Sequence, residues 1–467
     1  MSNKNTFQTL IKNATIINEY KNFQGSILIT GDIISKIIIS PKTLEEVEKE
    51  ANKVIDAEGL YLIPGVIDDH VHFRDPGDTY KGDIKTESRA AVLGGVTSFM
   101  DMPNNTPPTN TIKALEKKYK HAAEESYANY SFYLAANNDN LEEIKKINPK
   151  KNCGIKVFMG SSTGNLLVNN NNSLHEIFAN APCLIATHCE TEEIIQNNLK
   201  TAKKKYTDNV SKKANIPFSE HPNIRNRESC LKSSLKAINL AEETGARLHI
   251  LHVSTKEELE AIEQARINNR NITAEACVSY LWFDDRDYAA MGAKIKCNPA
   301  IKNLADKIKL REAVRNSVIA TVGTDHAPHL FSEKDKDYLH SPSGIPMIQH
   351  SLQLMLQLSE EGIFTMERVV RLMCHKPAEC FNIQKRGFIK EGYYADLVLI
   401  QPSFSKPYKV SKKNIAYKCK WSPFEGKSFD YKIHSTFVNG TQVVSKGRLT
   451  GKTNSKRLLF NPDKSKK

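Results

Sequence analysis

The sequence predicts an α/β protein: a (β/α)8 TIM barrel with a small β-sandwich-like module built from its N- and C-terminal flanks. Three observations carry this expectation. Eight apolar, strand-like runs alternate with amphipathic stretches through the middle of the 467-residue chain. Most of these runs end in or beside His, Asn or Asp, and a barrel gathers its chemistry at the C-terminal ends of its strands. Both flanks carry strand-like segments punctuated by turn signals.

In chain order, Thr9–Asn18, Gly25–Ile29 and Ile33–Ile39 read as short strands, with a turn at Thr30-Gly31-Asp32 and a charged helical stretch at Leu44–Ala51. The eight barrel runs are Leu60–His72, Val96–Met102, Tyr130–Ala136, Gly154–Met159, Cys183–His188, Arg247–Val253, Ile272–Tyr280 and Val318–Asp325. Helical stretches such as Lys85–Leu93, Cys230–Thr244 and Lys256–Asn268 lie between them, the alternation a parallel barrel requires. After a helical region at Met347–Cys374, strand character returns at Ala395–Leu399. A hairpin follows around Asn439-Gly440, a strong turn signal. The expected domains are therefore a barrel over 60–383, a composite β module from 1–59 and 384–450, and a mobile tail over 451–467. Asn169–Asn172 reads as a loop tip.

The formal net charge is +13, but the lysines are scattered among glutamates, and the runs Lys203–Lys205 and Lys464–Lys467 are short. A solvated basic surface is the simpler reading, and nucleic acid is not an expected partner. Nine cysteines without a C-x-x-C pair argue against a disulfide framework or a cysteine-rich zinc module. No apolar run reaches bilayer length and the N-terminus lacks a signal core, so a cytoplasmic protein without membrane contact is expected. A homo-oligomer such as a dimer is also expected.

The first barrel run closes with His70-Val71-His72. Residues i and i+2 of a strand share a face, so the two imidazoles point together at chelating separation. Lys156 lies inside an apolar strand, where an ammonium is costly unless paired or neutralised. His188 ends the fifth run and His252 lies near the end of the sixth. His249, three residues earlier, falls on the opposite strand face and reads as structural. Asp325 ends the eighth run, placed to ligate a metal and to shuttle a proton. Separately each has a bland explanation, such as a core histidine or a helix cap. Their joint placement on strands one, four, five, six and eight does not.

These residues resemble the amidohydrolase superfamily over about residues 55–400, and within it the dihydroorotases. The resemblance implies two zinc ions. His70, His72 and Asp325 would hold the first and His188 and His252 the second, with a carbamylated Lys156 and a hydroxide bridging them. It further implies substrate contacts. Arg74, in His72-Phe73-Arg74-Asp75-Pro76-Gly77, is similar to a substrate-carboxylate arginine, a role suited to a guanidinium fork. Asn104, Asn298 and His329 match other substrate-holding positions, and Ser343 and Gly344 match a substrate loop. Asp75 stands where the family usually has Glu, and His375-Lys376-Pro377-Ala378 replaces a more common Asn-Pro-Ala.

The implied activity is the reversible cyclisation of N-carbamoyl-L-aspartate to L-dihydroorotate in pyrimidine synthesis, with Asp325 as the proton-transferring group. Another cyclic amidase, an allantoinase or a hydantoinase (dihydropyrimidinase), is the near alternative. A catalytically inactive scaffold subunit is the distant one, and the presence of all six ligand positions argues against it.

Overall fold

The computed structural model describes residues 7–160, 166–208 and 213–461. Its centre is a parallel barrel of eight strands. They are Val66–Val71, Val96–Asp101, Asn129–Phe132 continuing as Leu134–Ala135, Ile155–Phe158, Ile185–His188, Leu248–Ile250, Ile272–Cys277 and Thr321–Gly323. Successive strands pair in parallel. A parallel bridge between Val71 and His326 brings the last strand back to the first.

Connecting helices start where the sequence supplies caps. Asp83 opens Ile84–Leu93 with a capping box to Thr86, and Thr255 opens Lys256–Asn268 with one to Glu258. Each box satisfies backbone donors that a helix start would otherwise leave orphaned. Asn170 likewise caps Asn171–Asn180, so the Asn-rich stretch read as a loop tip is a helix start.

The first apolar run is two strands, not one. Gly65 breaks it: a Cβ there would lie 2.0 Å from Thr97 Oγ1. Tyr61–Pro64 before the break belongs to the flanking sheet, and only Val66–Val71 enters the barrel. That flanking sheet has nine strands drawn from both ends of the chain. Its path runs Arg448–Leu449, Thr441–Ser445, Tyr431–Val438, Leu397–Pro402, Tyr61–Pro64, Gln8–Asn18, Lys21–Thr30, Ile33–Ile38, with Lys53–Asp56 beside Gln8–Asn18. The hairpin turn carries Asn439 and Gly440, both at positive φ, as a two-residue turn matched to strand twist demands. One face of the sheet encloses a core that includes Ile11, Ile27, Leu62, Leu397 and Phe437.

The segment from Gly451, expected to be a mobile tail, is docked as far as Asn461. Leu458 donates its N–H to the Tyr130 carbonyl and Phe460 bridges Ile383. Both apolar side chains are buried, and that burial anchors a terminus that composition alone marked as free. The Lys464–Lys467 run lies outside the described residues. Among the described residues no helix is long and apolar enough to cross a membrane.

Candidate active site

The C-terminal ends of the barrel strands converge on a cavity of about 370 Å3, and all twelve residues singled out in the sequence line it. Three non-glycine residues among them, Arg74, His252 and Asp325, sit at positive φ, at 68°, 40° and 48°. Such backbone strain in non-glycine residues persists only where surrounding structure enforces it, and it clusters at functional sites.

The imidazoles are anchored from behind. His70 Nδ1 lies 3.0 Å from Glu275 Oε1, His72 Nδ1 lies 2.7 Å from Asn104 Oδ1, and His188 Nε2 lies 2.8 Å from Glu190 Oε2. Each outer nitrogen faces an oxygen that can only accept, so we assign the proton there and the lone pair to the inner nitrogen. The inner nitrogens then converge. His70 Nε2 and His72 Nε2 stand 3.3 and 3.1 Å from Asp325 Oδ1. His188 Nδ1 faces His252 Nε2 at 2.9 Å.

Electrostatics favour neutral imidazoles at His72, His188 and His252 and an ionised carboxylate at Asp325. Burial pushes His72 down to about 4 and His188 down. Burial, with the charges of His188, His70 and Lys156, pushes His252 far down. Asp325 is raised by burial but held at about 2 by His70, His72 and Lys156. His70 is lowered by burial and raised more strongly by Glu275 and Asp325, which together call for positive charge at that point. Lys156, buried on the fourth strand, is brought by burial down to about 8 against the pull of Asp325 and Glu275.

The donor set fits divalent cations. His70, His72 and Asp325 offer atoms all within 4.8 Å of one another, and His70 Nε2 is buried with no hydrogen-bond partner. Imidazole nitrogen and carboxylate oxygen with anchored outer nitrogens are the ligand chemistry of zinc and similar ions.

The opposite wall is polar and partly unsatisfied. His329 Nε2 lies 3.0 Å from the Ser343 carbonyl and 3.0 Å from Arg74 Nη2. A nitrogen that donates to the carbonyl cannot accept from arginine, so we place the His329 proton on Nε2. Nδ1 then faces Lys81 Nζ at 3.3 Å. Burial beside Arg74, Lys81 and Lys334 keeps His329 neutral. Arg74 Nε donates to the Pro328 carbonyl at 3.1 Å, leaving guanidinium N–H groups for the cavity. Asn298 Oδ1 and Ser341 Oγ are buried without partners. Gly344 has φ 142° and would place a Cβ 2.5 Å from the Ala327 carbonyl, so only glycine closes this loop onto the eighth strand.

Several functional groups escaped the sequence reading. Glu275 also accepts from the His252 backbone N–H at 3.0 Å. Glu190 is clamped by Arg225, whose Nε lies 3.0 Å from Oε1. Asp68 receives the Thr324 hydroxyl at 2.6 Å and so ties the first strand to the eighth just before Asp325. Lys296 and Lys334, brought by burial to about 8 and about 7, donate to carbonyls of Tyr338, Ser341, Pro342 and Lys296 itself and hold the 341–344 loop. The signal for Glu275 was present: a charge inside an apolar strand, the same cue that picked out Lys156. Asn104, expected to hold substrate, spends its Oδ1 on His72. His249 does face the barrel interior, because the sixth strand ends at Ile250 and the chain turns at His252, so strand parity does not extend that far.

Comparison with known proteins agrees with this fold. The Amidohydrolase family model matches residues 61–443. A dihydroorotase of Methanosphaera stadtmanae is 33% identical, covering 96% of this chain and 99% of its own. An L-hydantoinase of Paenarthrobacter aurescens is 30% identical over 95% and 96%. Among solved structures, the L-hydantoinase of Arthrobacter aurescens superposes with a TM-score of 0.89 at 27% identity, covering 97% of this chain and 100% of that one. The chain belongs to the amidohydrolase family, whose members are hydrolases, and is related to its dihydroorotase, hydantoinase and allantoinase branches.

Proposed function

We propose that the protein is a dihydroorotase, interconverting N-carbamoyl-L-aspartate and L-dihydroorotate. The observation that carries this reading is the cavity wall opposite the histidines, where Arg74 presents guanidinium N–H groups beside neutral His329 and the unpartnered Asn298 Oδ1. Such a wall suits a substrate whose ring bears a carboxylate away from the reacting amide.

His70, His72 and Asp325 would hold one divalent cation and His188 and His252 a second, with Lys156, once carbamylated, able to reach both; zinc is the expected metal. Bound there, such a pair supplies an activated water at neutral pH and polarises the amide carbonyl. The protein's own groups do the rest. Asp325, a carboxylate at neutral pH, accepts the proton of the attacking water and delivers it to the ring nitrogen as the amide bond opens. Ring closure runs the same transfers backwards. Arg74 and Asn298 orient the ring by its carboxylate and polar edge, and the 341–344 loop, held by Lys296 and Lys334, narrows the mouth.

Hydrolysis of a hydantoin is a second reading, supported by the structural similarity to an L-hydantoinase. Assays of the purified protein on carbamoyl-aspartate, a hydantoin and allantoin separate them. Carbamoyl-aspartate should be preferred in kcat/KM by about a hundredfold, the scale of one hydrogen bond to a charged group. A preference for either other substrate would overturn the proposal.

A further inference from the structure

The opposite, N-terminal face of the barrel holds a second and larger cavity, about 710 Å3, open to solvent, with Thr273 and the largely buried Cys380 among its lining residues. Cys380 Sγ lies 3.8 Å from His249 Nδ1 and 3.4 Å from Thr273 Oγ1, and that hydroxyl lies 2.8 Å from His249 Nδ1, between thiol and imidazole. His249 Nε2 in turn lies 3.6 Å from Asp69 Oδ2. Asp69 is fully buried, and neither carboxylate oxygen has a hydrogen-bond partner. The order thiol, imidazole, carboxylate is the arrangement that activates a cysteine: the base takes the thiol proton and the carboxylate steadies the imidazolium. Nothing in the reaction at the other mouth uses these groups.

The cavity walls specify the ligand. Arg247, Arg266, Arg270, Arg371 and Lys376 face it, against two carboxylates, Glu263 and Glu379. A small molecule entering from solvent is selected for negative charge. We propose that Cys380 is a modification site, a nucleophilic thiol paired with His249 and Asp69 that forms a mixed disulfide with a small carboxylate-bearing disulfide from this cavity.

The step balances. Cys380 gives its proton to His249, and the Sγ thiolate attacks one sulfur of the incoming disulfide. That S–S bond breaks as the Cys380 S–S bond forms, and the departing thiolate leaves as a thiol with the proton from His249. The environment agrees with the geometry. Burial pushes thiols such as Cys153, Cys230 and Cys374 up. Burial acts on Cys380 too, but His249 outweighs it and holds the thiol below its ordinary value.

The test is to incubate the intact, metal-loaded protein with oxidised glutathione, or with the uncharged disulfide of mercaptoethanol, and to follow each cysteine by peptide mass mapping. Cys380, buried like the other cysteines, should nonetheless be modified about tenfold faster than any of them, as expected of a thiolate against undissociated thiols. The double variant Arg270→Glu, Lys376→Glu should slow glutathione several-fold and leave the uncharged reagent unchanged. His249→Asn should slow both reagents. As a measurement that does not depend on that variant folding, wild type should show more ultraviolet thiolate absorbance at neutral pH than Cys380→Ser. Modification elsewhere first, equal sensitivity of both reagents to the charge reversal, or identical absorbance of wild type and Cys380→Ser would each overturn the proposal.

Discussion

Glu275 Oε1 stands 3.0 Å from His70 Nδ1, and both side chains are wholly buried. The carboxylate fixes the proton on the outer nitrogen and aims the lone pair of the inner one into the cavity. Glu275→Gln keeps the shape and removes the charge. It should weaken metal retention about 10–100-fold, the usual cost of losing such a support. Metal titration of the stripped protein measures this, and unchanged affinity would remove Glu275 from the support of the site.

Asp325→Asn should lower kcat by about 10²–10⁴-fold, the range for loss of a positioned proton carrier. Circular dichroism should be unchanged, because Asp325 lies beyond the end of the eighth strand, Thr321–Gly323. Normal turnover would rule out its proton-transfer role.

Arg74→Met removes charged hydrogen bonds worth about 1.5–3 kcal/mol each, or roughly 10–150-fold in binding. KM for carbamoyl-aspartate should rise on that scale, while a carboxylate-free cyclic amide should be far less affected. Equal losses on both would mean that Arg74 holds the loop and not the substrate.

Burial brings the Lys156 amine to about 8. Only the neutral amine attacks carbon dioxide, and its fraction grows as pH rises toward that value. At fixed dissolved carbon dioxide, carbamylation of the metal-free protein should therefore accelerate about tenfold per pH unit below 8 and level off above it. Isotopic carbon dioxide read by carbon NMR reports the rate. A rate still rising tenfold per unit beyond pH 9 would contradict the direction of this shift.

The barrel and the residues around its mouth were legible because strand ends are local features. A buried run that stops at His72, His188 or Asp325 announces both the strand and the group it presents. Supports that approach from other strands were not legible, since pairing Glu275 with His70 or Asp68 with Thr324 requires barrel closure. Gly65 was invisible for a similar reason: its role depends on Thr97 pressing against it from the neighbouring strand. The docked C-terminal segment was misjudged because its composition is polar and basic, while its two buried apolar side chains, Leu458 and Phe460, and the Arg457 pair with Glu116 need the folded barrel to find their partners.

Strand Tyr61–Pro64 pairs on one edge with Gln8–Asn18 and on the other with Leu397–Pro402, residue for residue from Leu397 opposite Pro64 to Ile400 opposite Tyr61. During translation the second partner emerges more than three hundred residues after the first, roughly half a minute at ordinary elongation rates. Throughout that interval the nascent chain displays an unsatisfied β edge that can recruit a neighbouring polypeptide on the same polysome. The last ribosomal stretch, rather than the barrel, thus governs when the newborn molecule becomes safe from co-aggregation.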